Sequence, residues 1–268
     1  MIAISSVGRR VELVKQFKKT FPDCVAIDND KNAPALYIAD RYVSSIINIS
    51  HLIESVQNLG IEYIISLNDT ELYCLSNFQG FKGIRILHPE KNIIKACRDK
   101  ALYSEFFDIQ TPPTTIIKDR YGSGGSGCAK IAQPYIDGEE YNIQAYFCFE
   151  TGNLIDVFIQ KKIKMRDGET DKSVSVYNDD ILKAIVKLQG KGFTGATDID
   201  VIVDDKIYII DINPRFGGGY PLAHKCGKNY IQLLKENLTS KLSKRDYYNY
   251  ETGLVMMKYP ATMYRSEV

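Results

Sequence analysis

The chain has 268 residues, with 34 Lys and Arg against 33 Asp and Glu and a net charge of +1. That balance gives no basic excess for a nucleic-acid surface, and no apolar run approaches the ~18 residues of a membrane span. The first apolar run is too short for a secretory signal, so a cytoplasmic location is expected, with neither nucleic acid nor membrane among the partners. Cys24, Cys74, Cys97, Cys128, Cys148 and Cys226 form no C-x-x-C pair and read as reduced thiols, and three distant histidines exclude an obvious zinc site.

In chain order, an apolar run over residues 1–5 precedes Ser6-Val7-Gly8-Arg9-Arg10. A helical pattern through Val11, Leu13, Val14 and Phe17 follows. This is strand, glycine turn, helix, and the free N–H groups of such a helix start suit an anion. The dinucleotide fingerprint G-x-G-x-x-G is absent. Residues 24–27, 41–43 and 63–67 read as further strands and 51–59 as a helix, an order that argues for a parallel sheet covered on both faces. Such sheets bind ligands at their strand ends, where residues 5–10 and Leu67-Asn68-Asp69-Thr70-Glu71 fall. Helix capping by Asn68, Asp69 or Thr70 is the plainer use of the second cluster.

His88-Pro89 marks a boundary. A helix over residues 90–107 carries Asp99-Lys100, followed by Ile109-Gln110-Thr111-Pro112-Pro113. Next, a strand at 116–118 delivers Lys118 to Gly122-Ser123-Gly124-Gly125-Ser126-Gly127. Such a turn can wrap phosphate with backbone N–H groups, and it also has the composition of a flexible linker. It is no Walker A loop, because no G-K-[ST] follows. Gln133-Pro134-Tyr135-Ile136-Asp137-Gly138-Glu139-Glu140-Tyr141 leads into an alternating strand over 142–149. After a strand at 155–159, residues 160–173 read either as a charged, solvated loop or as a strand with Lys162, Lys164 and Arg166 on one face. Such a face would neutralise a developing anion. Residues 180–190 read as an amphipathic helix.

Two strand-like runs, 197–203 and 206–212, flank Asp204-Asp205, which reads as a two-residue hairpin turn. That turn pairs Val203 with Lys206, sets Asp198 opposite Asp211 and leaves Asp200 on the diagonal. Like charges so opposed destabilise a sheet, and a cation between them removes the conflict. Oxygen ligands few in number, with Arg215 nearby, point to Mg²⁺ bridging to phosphates. Residues 222–235 read as one helix with His224 in its first turn, a capping or packing residue, and 253–259 as a strand.

The segment Asp211-Ile212-Asn213-Pro214-Arg215-Phe216-Gly217-Gly218-Gly219 resembles the (Glu/Asp)-x-Asn-Pro-Arg element of the ATP-grasp superfamily, as found in the carbamoyl phosphate synthase large subunit and its smaller relatives. The resemblance implies Mg²⁺, with Mn²⁺ as the alternative ion, on Asp211, Asn213 and Asp200; Asp198 is the runner-up for the last position. It implies that Arg215 contacts phosphate and that Lys100 and Lys118 are the ATP lysines. Gly122, Ser123 and Gly124 would form the phosphate loop, with adenine held near Gln133 and Ile136 and ribose at Glu140. Arg215, Lys162, Lys164 and Arg166 would face the reacting centre. The implied fold is α/β: a Rossmann-like parallel sheet over residues 1–88, then an ATP-grasp domain over 89–268. The latter's antiparallel core (about 161–268) would follow a lid (about 114–160) that holds the strand at 142–149 and is shorter than the family's. The implied function is an ATP-dependent carboxylate–amine ligase working through an acyl phosphate, on a small-molecule carboxylate and an amine acceptor, with a homodimer allowed. The short lid keeps open a catalytically silent ATP-binding protein, and a carbamoyl-phosphate-forming or kinase-like ATP user is the other alternative.

Overall fold

Short buried runs of β-branched residues and amphipathic helices alternate through the first third of the chain. The structure is a computed structural model that describes residues 1–44, 49–78, 80–81, 83–111, 116–119, 130–133, 135–166, 168–240 and 242–266. β1 (Ile2–Ser5), α1 (Val11–Thr20), β2 (Val25–Asp28), β3 (Arg41–Ser44), α2 (Ile49–Gln57), β4 (Tyr63–Ser66), α3 (Asp69–Leu75), β5 (Gly80–Phe81) and β6 (Ile84–Ile86) follow one another. Their sheet has the order β3-β2-β1-β4-β6-β5 and is parallel except at the β5–β6 pair. Every residue of β1 and β2 is buried, as expected of parallel strands covered on both faces. Asn68 caps α3, its side chain accepting from the N–H groups of Thr70 (2.9 Å) and Glu71 (3.0 Å).

The helix expected over 90–107 is interrupted. α4 (Lys91–Arg98) stops at Asp99, whose backbone turns to φ −106°, ψ 90°. Its carboxylate accepts from Ala101 N at 3.2 Å, starting a 3-10 turn (Lys100–Leu102) before α5 (Tyr103–Phe107). An aspartate suits this place, because it competes with the helix for nearby N–H groups.

β7 (Ile116–Asp119) and β8 (Lys130–Gln133) pair antiparallel as a separate two-stranded sheet. β9 (Glu139–Phe147), β10 (Leu154–Arg166), β11 (Glu169–Ser175), α6 (Asp179–Val186), β12 (Gly195–Val203), β13 (Ile207–Asn213), α7 (Tyr220–Lys225), α8 (Tyr230–Asn237) and β14 (Val255–Met257) complete the described elements. The second large sheet is antiparallel throughout, in the order β13-β12-β9-β10-β11-β14. Two expectations are corrected here and one open alternative is decided. The strand expected in the lid at 142–149 is β9, at the middle of this core sheet. Of the two readings of 160–173 the strand is found, in β10 and β11. The helix expected over 222–235 is two helices, divided at Gly227 with φ +98°, a conformation that favours glycine.

β9 shows how the core sheet divides its faces. Tyr141, Ile143, Ala145 and Phe147 pack with Ile181, Ile185 and Phe193 on one side. Asn142 and Gln144, also buried, point to the other. A single apolar cluster joins the two sheets: Ile4, Val14 and Phe17 of the first lie with Phe158, Phe216 and Tyr220 of the second. Phe17 meets Phe216 edge-on with ring centres 5.3 Å apart, and Phe216 meets Tyr220 at 5.0 Å. Phe17 is fully buried at this junction. Phe17→Ala is expected to cost about 3–5 kcal/mol in denaturant unfolding while leaving one cooperative transition. A loss under about 1 kcal/mol, or two separate transitions, would show that the sheets fold independently.

Candidate active site

The β12–β13 hairpin carries the acids, and its register differs from the expected one. Val203 pairs with Ile207, so the turn holds three residues, Asp204 to Lys206. The register then shifts between Val201 and Asp200, leaving Ile210 as a bulged extra residue on β13. Together these bring Asp200 opposite Asp211 and Asp198 opposite Asn213. The directly opposed carboxylates are therefore Asp200 and Asp211, with Asp198 beside them.

Three cations meet these acids, each from a different segment. The interruption at Asp99 brings Lys100 Nζ onto Asp211 Oδ1. From β10, Lys162 Nζ lies 3.0 Å from Asp200 Oδ2 and 3.5 Å from Glu140 Oε2. Arg215, just after β13, reaches Asp198 Oδ2 at 3.4 Å. Arg215 also grips Asp69 of α3 through two bonds, Nε to Oδ1 at 3.1 Å and Nη2 to Oδ2 at 3.0 Å. This fork ties the parallel sheet to the hairpin. Only 4% of the Lys162 side chain is exposed. Burial works against its charge, yet Asp200 and then Glu140 hold its pKa above the ordinary lysine value. Burial likewise opposes the Asp211 carboxylate, but Lys100 outweighs it and keeps that pKa below the usual range.

A buried amide chain orients the acids of β12. Asn142 Nδ2 donates to Asp198 Oδ1 at 2.7 Å and to Asp200 Oδ1 at 2.8 Å. Asn142 Oδ1 accepts from Gln144 Nε2 at 2.7 Å and from Gln160 Nε2 at 2.8 Å, and Ser173 Oγ donates to Gln160 Oε1 at 2.7 Å. The glycines after Phe216 let the backbone close over this chain. A Cβ at Gly217 would sit 2.0 Å from Asp198 Oδ1, and one at Gly219 would sit 2.4 Å from Asn142 Oδ1. Asn142, Gln144 and Gln160 did not emerge from sequence reasoning. For Asn142 and Gln144 the signal is two amides alternating with apolar residues in the one strand Glu-Tyr-Asn-Ile-Gln-Ala-Tyr, and Gln160 carries none.

Asp198, Asp200, Asp211, Asn213, Arg215 and Arg10 line one open cleft. Arg10 also donates to Phe216 O at 3.0 Å. Among the predicted nucleotide residues, Lys100 is in this cluster and Glu140 reaches it through Lys162. Ile136 is buried. Gly122, Ser123 and Gly124 lie outside the described residues, as do the side chains of Lys118 and Gln133, whose backbones belong to β7 and β8. The shared face expected for Lys162, Lys164 and Arg166 is not formed. The β10–β11 register shifts on both sides of Lys164, so that Met165 lines the cleft. Lys164 and Arg166 are exposed, and Arg166 pairs with Asp171 at 3.3 Å. His224 packs edge-on against Tyr220.

Among the described residues no three His, Cys, Asp or Glu side chains already cluster as a metal cage. Asp200, Asp211 and Asn213 instead offer a sparse set of hard oxygen donors on one cleft wall. That set fits Mg²⁺ shared with phosphate oxygens, because Mg²⁺ commonly takes one or two carboxylates and completes its shell elsewhere.

At the parallel sheet, the hydroxyls of Ser5 and Ser6 donate to the buried Glu71, and Asp28 Oδ2 accepts from Gly8 N at 2.7 Å. Burial raises the Glu71 pKa, while the serine hydrogen bonds oppose that rise. The serine and carboxylate groups at these strand ends are thus committed to one another.

Residues 2–86 match the family described as PylC-like, N-terminal domain, and residues 90–219 match the ATP-grasp domain family. None of the curated protein sequences compared with the chain matches it. Among solved structures, N5-carboxyaminoimidazole synthetase from Staphylococcus aureus, complexed with ADP, superposes with a TM-score of 0.71 at 14% identity. That match covers 91% of this chain and 78% of the synthetase. The biotin carboxylase domain of Hydrogenobacter thermophilus 2-oxoglutarate carboxylase, with MgADP, ADP and bicarbonate, gives 0.72 at 15% identity, over 95% of this chain and 73% of that one. L-amino acid ligase from Bacillus licheniformis gives 0.68 at 15% identity, over 90% and 74%. These likenesses show a shared fold, and with family models matching residues 2–86 and 90–219 in sequence the chain belongs to the ATP-grasp superfamily.

Proposed function

We propose that the protein is an ATP-dependent carboxylate–amine ligase acting on a small-molecule carboxylate through an acyl phosphate. One observation carries this reading: Asp200, Asp211, Asn213 and Arg215 line a single cleft, and Lys100 and Lys162 pair with its acids Asp211 and Asp200. On this reading residues 1–88 and 89–268 act as separate functional units, one supporting the acceptor and the other the nucleotide. The cytoplasm is its proposed location, since its substrate ATP is there and no helix among the described residues is long and apolar enough to cross a membrane.

The reaction has two displacements. A carboxylate oxygen attacks the γ-phosphorus of ATP and the bond to ADP breaks. The amine nitrogen then attacks the acyl carbon, phosphate leaves with the bonding pair, and the nitrogen loses a proton. Little covalent work falls to the protein, so its task is positioning and charge stabilisation. Lys100 and Arg215 would neutralise phosphate oxygens, and Lys162 would counter the charge that builds as phosphoryl transfer proceeds. Glu140, half exposed at the rim, would accept from the ribose hydroxyls. Lys164 and Arg166 are exposed on either side of Met165, and this reading assigns them no role. Asp200, Asp211 and Asn213 would hold Mg²⁺, which when bound supplies neutralising charge to the phosphates. Asn142 fixes the directions of Asp198 and Asp200 from behind.

Hydroxylamine, offered in place of the amine, traps acyl phosphates as hydroxamates. A screen of small carboxylates with ATP and Mg²⁺ is expected to find at least one that gives hydroxamate and ADP in equal amounts. ADP formed with a stable phosphorylated product instead would identify a kinase-like enzyme, and nucleotide binding without ADP under every acceptor a silent protein.

A second expectation concerns the hairpin. Asp211→Ala should weaken binding of MgATP far more than binding of metal-free ATP, in calorimetry. Asn142→Ala should do the same to a smaller degree, about 10–100-fold, as is usual for a residue that orients a ligand. Equal losses with and without metal would remove the metal assignment.

A further inference from the structure

Lys100 and Lys162 are the cations that the proposed reading sends to the nucleotide, and both sit on acids that it assigns to the metal. Lys100 holds Asp211, and Lys162 holds Asp200 from a position almost wholly shielded from water. We propose that these two lysines are resident counter-ions that occupy the metal's place in the charge balance, so that metal and nucleotide each bind more tightly in the other's presence. The inference rests on the reading of the hairpin as a metal site.

The argument is one of stranded charge. Two directly opposed carboxylates on adjacent strands need a cation. In this structure Lys162 and Lys100 supply it, one for each member of the pair. A divalent ion arriving alone would take Asp200 and Asp211 and leave the two ammonium groups without partners. For Lys162, Glu140 would be the sole remaining anion within ion-pair reach among the described residues, at 3.5 Å. A buried charge that loses its partner is strongly destabilising, so this step is disfavoured. A triphosphate changes the balance. Its oxygens can take the ammonium groups just as the metal takes the carboxylates, and every charge keeps a partner. Both lysines sit on long flexible stems, so their ammonium groups can be redirected by side-chain rotation. Binding of the two ligands is then coupled, and the coupling factor is the same in either direction.

Mn²⁺ serves as the probe, followed by water-proton relaxation, which responds to Mn²⁺ held on the slowly tumbling protein. A non-hydrolysable ATP analogue serves as the nucleotide. Wild type is expected to bind Mn²⁺ weakly alone, and to bind the analogue about tenfold or more tightly when Mn²⁺ is present. Lys162→Met should tighten Mn²⁺ binding without nucleotide by about tenfold and shrink the coupling between the two ligands, an effect that a merely structural lysine would not produce. Lys100→Met, at a more accessible position, should act in the same direction, and thermal unfolding checks that each variant is folded. Wild-type Mn²⁺ binding that is equally tight with and without nucleotide would overturn the proposal, even if neither variant folds. Unchanged Mn²⁺ affinity in both folded variants would also overturn it. If Mn²⁺ fails to bind wild type even with the analogue present, the metal reading of the hairpin falls first and this inference with it.

Discussion

Asp200 and Asp211 face one another across adjacent antiparallel strands, and that repulsion is the constraint on which the site depends. Within the hairpin, Asn213 Nδ2 donates to Asp211 Oδ2 at 2.9 Å but brings no charge. The cations come from other segments, two of them where regular structure ends. Lys100 reaches Asp211 because Asp99 breaks the α4 helix one residue earlier. Lys162 reaches Asp200 along a strand whose register shifts immediately beyond it. Arg215 spans Asp198 and Asp69 because the chain leaves β13 through Asn-Pro-Arg rather than continuing the strand.

These pairs are poor evidence for stability. Burying both partners costs desolvation that their attraction does little more than offset. Stability is better sought in the apolar junction, where Phe216 lies between Phe17 and Tyr220. The segment from Asn213 to Tyr220 therefore joins three tasks. Asn213 and Arg215 face the cleft, Phe216 enters the core shared by the two sheets, and Gly217 and Gly219 allow the backbone to touch Asp198 and Asn142. Catalytic placement and the joining of the sheets are coupled through a few consecutive residues.

That concentration explains what the sequence reveals. Asp211, Asn213, Arg215 and the glycines are contiguous, so their types and spacing survive in one string and the ATP-grasp resemblance is visible there. The parallel sheet follows from the order of strands and helices, and the antiparallel core sheet from the resemblance. Register is harder, because it depends on counting unpaired residues. One residue more in the Asp204–Lys206 turn and a bulge at Ile210 move the acid opposite Asp211 from Asp198 to Asp200. A shift around Lys164 likewise puts Met165 in the cleft. Neither bulge is marked by a glycine or proline, so period-two reasoning runs past both. β9 was expected in the lid because it follows the glycine–serine stretch, whereas its pairing with β12 and β10 joins residues far apart in the chain. The same separation conceals Asn142, Gln144 and Gln160, whose roles exist only once three strands lie side by side.

The central claim is that this acid hairpin and its lysines form a metal–nucleotide site. The most direct measurement is a crystal structure of the protein with Mg²⁺ and a non-hydrolysable ATP analogue. The account predicts an ion about 2.0–2.1 Å from oxygens of Asp200, Asp211 and Asn213. It also predicts phosphate oxygens within hydrogen-bond reach of Lys100 and Arg215, and Lys162 turned from Asp200 toward phosphate. Nucleotide bound elsewhere, or phosphates in the cleft with Lys162 and Lys100 still on their carboxylates and no ion at the hairpin, would contradict it.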